Sequence, residues 1–180
     1  MKKTAFLLIT LAYAAAFAHF GPLHIRLIPS FGDLEVSGAE EAGKAPGFRL
    51  PAARGGELDL DSFAGRPVLL MFFTEACPYC RLAGPALEKL SKEYASKGLA
   101  VIGVCVDDDK DSALAYAGDL GVTFPLAYGG RSAFVKYRAR GVPYIYLLDG
   151  GRKLQDVWEG FDPSYVPMMK ASLDQLLAGK

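Results

Sequence analysis

The sequence predicts a layered α/β fold with strands paired at least partly in parallel, and three observations carry that prediction. Apolar runs of strand length alternate along the chain with stretches of helical spacing, the pattern that packs helices onto a sheet. One of those runs, residues 67–73, is apolar throughout, as a central strand covered on both faces requires. Turn-forming residues punctuate the joins, at Gly98, at Asp107-Asp108-Asp109 and at Asp149-Gly150-Gly151-Arg152.

The chain has 180 residues, enough for one domain and little more. Its 51% hydrophobic and 22% charged residues mark a globular rather than a disordered protein. Twenty basic residues against twenty acidic ones leave no positive field to hold nucleic acid, so no nucleic-acid partner is expected. Residues 1–18 read as a signal peptide: Met1-Lys2-Lys3 is a short positive start, an apolar run follows, and Ala16-Phe17-Ala18 offers a small-residue cleavage site. An uncleaved anchor is the other reading, because Thr4 to Phe20 carries no charge and approaches the length needed to span a bilayer. Either way the remaining chain lies outside the cytosol, periplasmic or on the outer face of the membrane, where disulfides persist.

Residues 19–43 lack periodicity and are rich in Gly and Pro, as a linker or loosely attached N-terminal segment is. A compact domain is expected over 44–178. Glu57-Leu58-Asp59-Leu60 alternates like a short half-exposed strand, and 61–66 reads as a turn. After the apolar strand at 67–73, Leu82, Ala86, Leu87, Leu90 and Tyr94 predict a helix over 78–97 with one apolar stripe, closed by Gly98. A second strand at 99–106, a helix at 111–120 stopped by Gly121, a short strand at 123–128 and a short helix at 132–138 follow. Strands at 143–148 and 153–159 flank the Asp149 turn, and Asp162-Pro163 opens a last helix running to about Leu177.

Chemistry concentrates in Cys77-Pro78-Tyr79-Cys80, at the junction of a buried strand and a helix. There Cys77 meets the unpaired N–H groups and the positive end of the helix dipole, which favour a negative sulfur. Pro78 at the first helical position sacrifices no hydrogen bond. Cys80, one turn in, is more shielded and can attack a mixed disulfide to release the partner. A zinc half-site lacks ligands, since only Cys105, His19 and His24 remain. A purely structural disulfide across so small a ring gains little loop-closure entropy. No metal and no cofactor beyond the redox-active Cys77–Cys80 pair are expected.

The chain here resembles the thioredoxin superfamily, most closely its exported, TlpA-like branch, related to the AhpC/TSA and redoxin proteins. The resemblance runs through Ala45-Pro46-Gly47-Phe48-Arg49-Leu50, residues 65–73, the Cys-Pro-Tyr-Cys motif and Pro85, which matches the proline that kinks this helix. It continues through residues 101–107, Thr123-Phe124-Pro125-Leu126 and residues 141–149. It implies a thioredoxin-like fold: a central mixed sheet flanked by helices, with a strand–helix insertion before a strand that opens on a cis proline. It further implies a cis Val142–Pro143 bond facing the cysteines, beside which an extended substrate pairs by strand addition. Ala76, Pro78, Tyr79, Val142 and Pro143 are the expected groove.

The sequence also departs from the family. The buried acid that usually accepts a proton is Met71 here, its accompanying lysine is Gly103, and the tryptophan before the first cysteine is Ala76. Glu75 is the nearest candidate for the proton relay. Cys105 reads as an inert buried residue. The expected function is thiol–disulfide exchange on disulfides and dithiols of exported proteins, as a reductant recharged by a membrane electron donor, by a monomer. Two alternatives stand beside it: a peroxiredoxin-like peroxidase, from the Thr74-Glu75-Ala76-Cys77 spacing, and a redox-inert binding module using the Pro143 groove.

Overall fold

Alternating side chains on one strand organise the whole molecule. The computed structural model describes residues 43–178, so the expectations for residues 1–18 and for nearly all of 19–43 lie outside the described residues. Strand β3 (Val68–Phe73) is buried along its full length. Leu69, Met71 and Phe73 face one apolar cluster, while Val68, Leu70 and Phe72 face another. A strand sandwiched this way has no use for polar alternation, which is why its sequence reads as an unbroken apolar run.

The elements before β3 are β1 (Arg49–Pro51) and β2 (Glu57–Asp59), an antiparallel pair. After it come helix α1 (Pro78–Tyr94), β4 (Ala100–Cys105), helix α2 (Lys110–Leu120), β5 (Leu126–Ala127) and helix α3 (Arg131–Lys136). Strands β6 (Tyr144–Leu148) and β7 (Leu154–Glu159) and helix α4 (Tyr165–Ala178) complete the chain. The main sheet has the order β5-β4-β3-β6-β7. Pairing is parallel from β5 to β3 and antiparallel from β3 to β7. This is the mixed, helix-flanked sheet that the resemblance implied, with α2, β5 and α3 inserted between β4 and the strand after Pro143.

Helices α1, α2 and α4 cover one face through Leu87, Leu90, Tyr116, Met169 and Leu173. Helix α3 and β2 cover the other, where Phe72, Tyr137 and Tyr146 meet edge to face with centroids 5.2–6.1 Å apart.

Several details differ from the sequence expectations. β1 was not foreseen: three residues carry too little pattern, and its stability comes from pairing with β2. Leu60, expected to end a strand, and residues 61–63, expected in a turn, form a 3-10 helix capped by Asp59, whose carboxylate accepts the Asp61 amide. The strand near 123–128 shrinks to two residues. The last helix begins at Tyr165, because Asp162 accepts the Ser164 amide and holds Pro163 in a turn ahead of it. Leu82 leaves the predicted stripe: it is 56% exposed, and Ala83 takes the inward position instead.

Helix α1 ends in a 3-10 turn, Ala95–Lys97, closed by Gly98 at φ +90°, a conformation costly for any residue with a Cβ.

Candidate active site

Strand β3 delivers the chain into α1 through Thr74, Glu75 and Ala76, and Cys77 stands at the helix N-cap. The cap is made by sulfur: Cys77 Sγ accepts the backbone amide of Cys80 at 3.2 Å. Such a contact strengthens when the acceptor is charged. Pro78 occupies the first helical position, as expected. The cysteines are free thiols here. Cys77 is half-buried, whereas Cys80 is fully buried. Burial first, then the hydrogen bond with Cys77, pushes the Cys80 thiol well above the ordinary thiol range.

The second wall of the site is the start of β6. The Val142–Pro143 peptide is cis. The thiol of Cys77 donates to the Val142 carbonyl at 3.4 Å, so the two distant motifs meet at one sulfur. The Pro143 carbonyl in turn accepts the Gly160 amide at 2.8 Å, fixing this turn to the end of β7. Ala76, Pro78 and Tyr79 are exposed around Cys77, and Tyr79 is 60% exposed. Of the expected groove residues, Val142 touches the half-buried sulfur directly, and Ala76 and Pro78 flank Cys77 along the chain.

Glu75 is placed differently from a base aimed at the cysteines. Its carboxylate lies 3.5 Å from Arg81, whose guanidinium also holds Asp119 at 2.9 Å. Its backbone amide donates to Asp107 Oδ2 at 3.4 Å. Met71 is packed into the core and pairs in register with Gly103. A side chain at Gly103 would collide with Leu126, whose Cδ2 lies 2.5 Å from where a Cβ would stand. The acid and lysine of the family pattern are therefore replaced by apolar packing. Cys105 is fully buried, and burial first pushes its thiol up to about 12. Among the described residues no cluster of three or more His, Cys, Asp or Glu could hold a metal ion.

Four residues carried no sequence signal of the contacts they make. Tyr116 donates its hydroxyl to the Cys80 carbonyl at 2.6 Å, and Arg81 ties the loop to α2. Asp107 receives the Glu75 amide. Glu88, only 6% exposed, accepts the Thr123 hydroxyl at 2.6 Å and the Thr123 amide at 2.8 Å. Each acts across 32 to 38 residues of sequence, beyond the reach of local periodicity.

The family described as AhpC/TSA matches residues 42–162. Thioredoxin-like protein YneN of Bacillus subtilis (strain 168) is 33% identical over 155 residues, covering 84% of this chain and 86% of that protein. Thiol-disulfide oxidoreductase ResA of Geobacillus kaustophilus (strain HTA426) is 26% identical over 117 residues, or 64% of this chain and 67% of that one. A crystal structure from Chlorobium tepidum, described as a thiol:disulfide interchange protein DsbE, is similar with a TM-score of 0.71 at 26% identity. It covers 74% of this chain and 95% of that chain. With more than half of its length matched and the same fold around the cysteine pair, this chain belongs to the AhpC/TSA family, on the TlpA-like branch of the thioredoxin superfamily.

Proposed function

We propose that this chain is a thiol–disulfide oxidoreductase that reduces disulfides in exported proteins, with Cys77 as nucleophile and Cys80 as resolving thiol. One observation carries the reading: the Cys77 sulfur, half-buried, accepts the Cys80 amide and touches the Val142 carbonyl, while Cys80 is sealed beneath it. The ionised Cys77 sulfur attacks one sulfur of the partner's disulfide, and the partner's other sulfur leaves and takes a proton. Cys80 then loses its proton and attacks Cys77, forming the Cys77–Cys80 disulfide and freeing the second partner thiol. Two electrons have passed to the partner, and a membrane electron donor returns them.

An extended partner segment lies beside Val142 and Pro143 by strand addition, with Ala76 and Tyr79 at its rim. Export rests on the leader pattern of residues 1–18. Among the described residues, no helix is long and apolar enough to cross a membrane.

Insulin reduction driven by dithiothreitol, abolished by Cys77→Ser, is the expected result. Peroxide consumption without insulin reduction would transfer the Cys77 site to the peroxidase reading. A redox titration fixes direction: a potential near about −270 mV suits a reductant, and one near about −120 mV overturns that role.

A further inference from the structure

Strand β6 leaves the cysteine site just after Pro143 and ends at Leu148, on the wall of an open cavity of about 400 Å³. That volume suits a small ligand or a headgroup. Buried Tyr137 and Tyr146 also line it, and Leu154, 47% exposed, adds an apolar wall. The charged side chains that line it are Lys44, Lys136 and Arg138, all exposed, and no acidic residue does. Lys153 pairs with Lys44 in an isolated antiparallel bridge and brings a fourth cation to the edge.

Among the described residues, none of these cations has a carboxylate within ion-pair distance. The acids around the adjoining turn are engaged elsewhere. Asp149 accepts the Gly151 and Lys153 amides, and Asp61 pairs with Arg152. Like charges gathered this way repel one another unless an anion joins them. Arg138 stands at φ +55° just past α3, where helix ends usually place glycine. A long cation kept in so costly a backbone conformation points to a use for its charge. Gly43 lines the cavity too, so the chain that carries the leader pattern of residues 1–18 enters the domain at this face.

We propose that this cavity seats the phosphate headgroup of an anionic phospholipid and lays this end of the domain on a membrane surface. The phosphate sits among Lys44, Lys136 and Arg138, and the lipid's glycerol and first methylenes lie against Leu154 and the two tyrosine rings. Each cation near an anionic lipid surface adds to the attraction. Docking by the far end of β6 leaves its start, where Val142 meets Cys77, free to receive partners. The setting, a membrane outside the cytosol, is that of the export reading above, whereas the binding itself owes nothing to the thiols.

The test is co-sedimentation of the full chain with vesicles of phosphatidylcholine alone or with about 30% phosphatidylglycerol, at about 0.1 M salt. The phosphatidylcholine arm accounts for insertion by the apolar leader, which does not read headgroup charge. Binding to the mixed vesicles is expected to exceed it at least about tenfold. Lys136→Glu with Arg138→Glu, and separately Lys44→Glu with Lys153→Glu, should each remove about tenfold or more of that binding. Lys89→Glu with Lys110→Glu makes the same change of charge on α1 and α2, across the sheet, and should cost no more than about threefold. A loss of about threefold or less in either cavity pair overturns the proposal, and so does an equal loss in the α1 and α2 pair. Equal binding to both kinds of vesicle overturns it as well. If about 10 mM inorganic phosphate abolishes binding at constant ionic strength, the cavity belongs to a free anion rather than a lipid.

Discussion

The phenol of Tyr116 donates to the backbone carbonyl of Cys80 across 2.6 Å, pinning α2 onto the first turn of α1. Gly84 makes room for that bond: a Cβ there would stand 2.5 Å from the Tyr116 hydroxyl and 3.1 Å from Leu120 Cδ1.

Gly84→Ala should therefore reverse the usual rule. An alanine in a helix interior normally gains about 1 kcal/mol over glycine. Here, overpacking against Tyr116 should make the variant less stable by about 1–3 kcal/mol. Tyr116→Phe should cost about 1 kcal/mol by itself. The double variant should lose less than the sum, because removing the hydroxyl relieves the clash. Urea unfolding of the four proteins measures this.

Glu88 predicts an acid limb in the stability curve. Burial pushes its carboxyl up, but the Thr123 hydroxyl and amide, Lys92 and the Phe124 amide outweigh it, and the net direction is down. A carboxyl depressed in the folded state contributes stability above its unfolded pKa and loses it as pH falls through the folded value. Glu88→Gln should cost about 1–3 kcal/mol at neutral pH. That difference should shrink below about pH 4, where the unsubstituted carboxyl also takes a proton. Denaturant midpoints between pH 3 and pH 8 check it.

Restoring the family's acid should do harm. Met71→Asp places a carboxyl in a core where Gly103 offers it no cation and Leu126 fills the space a lysine would need. The cost should be about 3 kcal/mol or more. Burial raises such a carboxyl, so the folded state binds the extra proton and stability should fall further as pH rises above about 4. Thermal unfolding at pH 4 and pH 8 tests both signs.

Leu82 and Leu87 separate the exposed and buried sides of α1. Leu87→Ala should cost about 2–5 kcal/mol. Leu82→Ser should stay within about 0.5 kcal/mol, since Leu82 meets water. Chemical denaturation distinguishes them.

That last pair shows where the sequence was legible and where it was not. The apolar run at β3, the Cys-Pro-Tyr-Cys junction and the stop at Gly98 are local signals, and each appears where its spacing put it. The mismatch at Leu82 has a physical reason: the inward stripe runs through Cys80, Ala83, Leu87, Leu90 and Tyr94 at spacings of three and four, and Leu82 lies off it. The meeting of Cys77 with Val142 came from family resemblance rather than from periodicity. Tyr116, Arg81, Asp107 and Glu88 were invisible because each meets its partner only after the sheet has folded.

The sulfur cap on α1 has one more consequence. In the proposed function the atom that exchanges electrons is also the atom that closes the helix, which links redox state to the helix end. In a disulfide that sulfur is neutral and accepts weakly, whereas in the ionised dithiol it accepts strongly. Cap strength is therefore a dial on the potential. Each added 1.4 kcal/mol or so favouring the dithiol raises the two-electron potential by about 30 mV, away from reducing power. Small changes in how closely the Cys80 amide approaches Cys77 would retune the direction of electron flow without touching either cysteine.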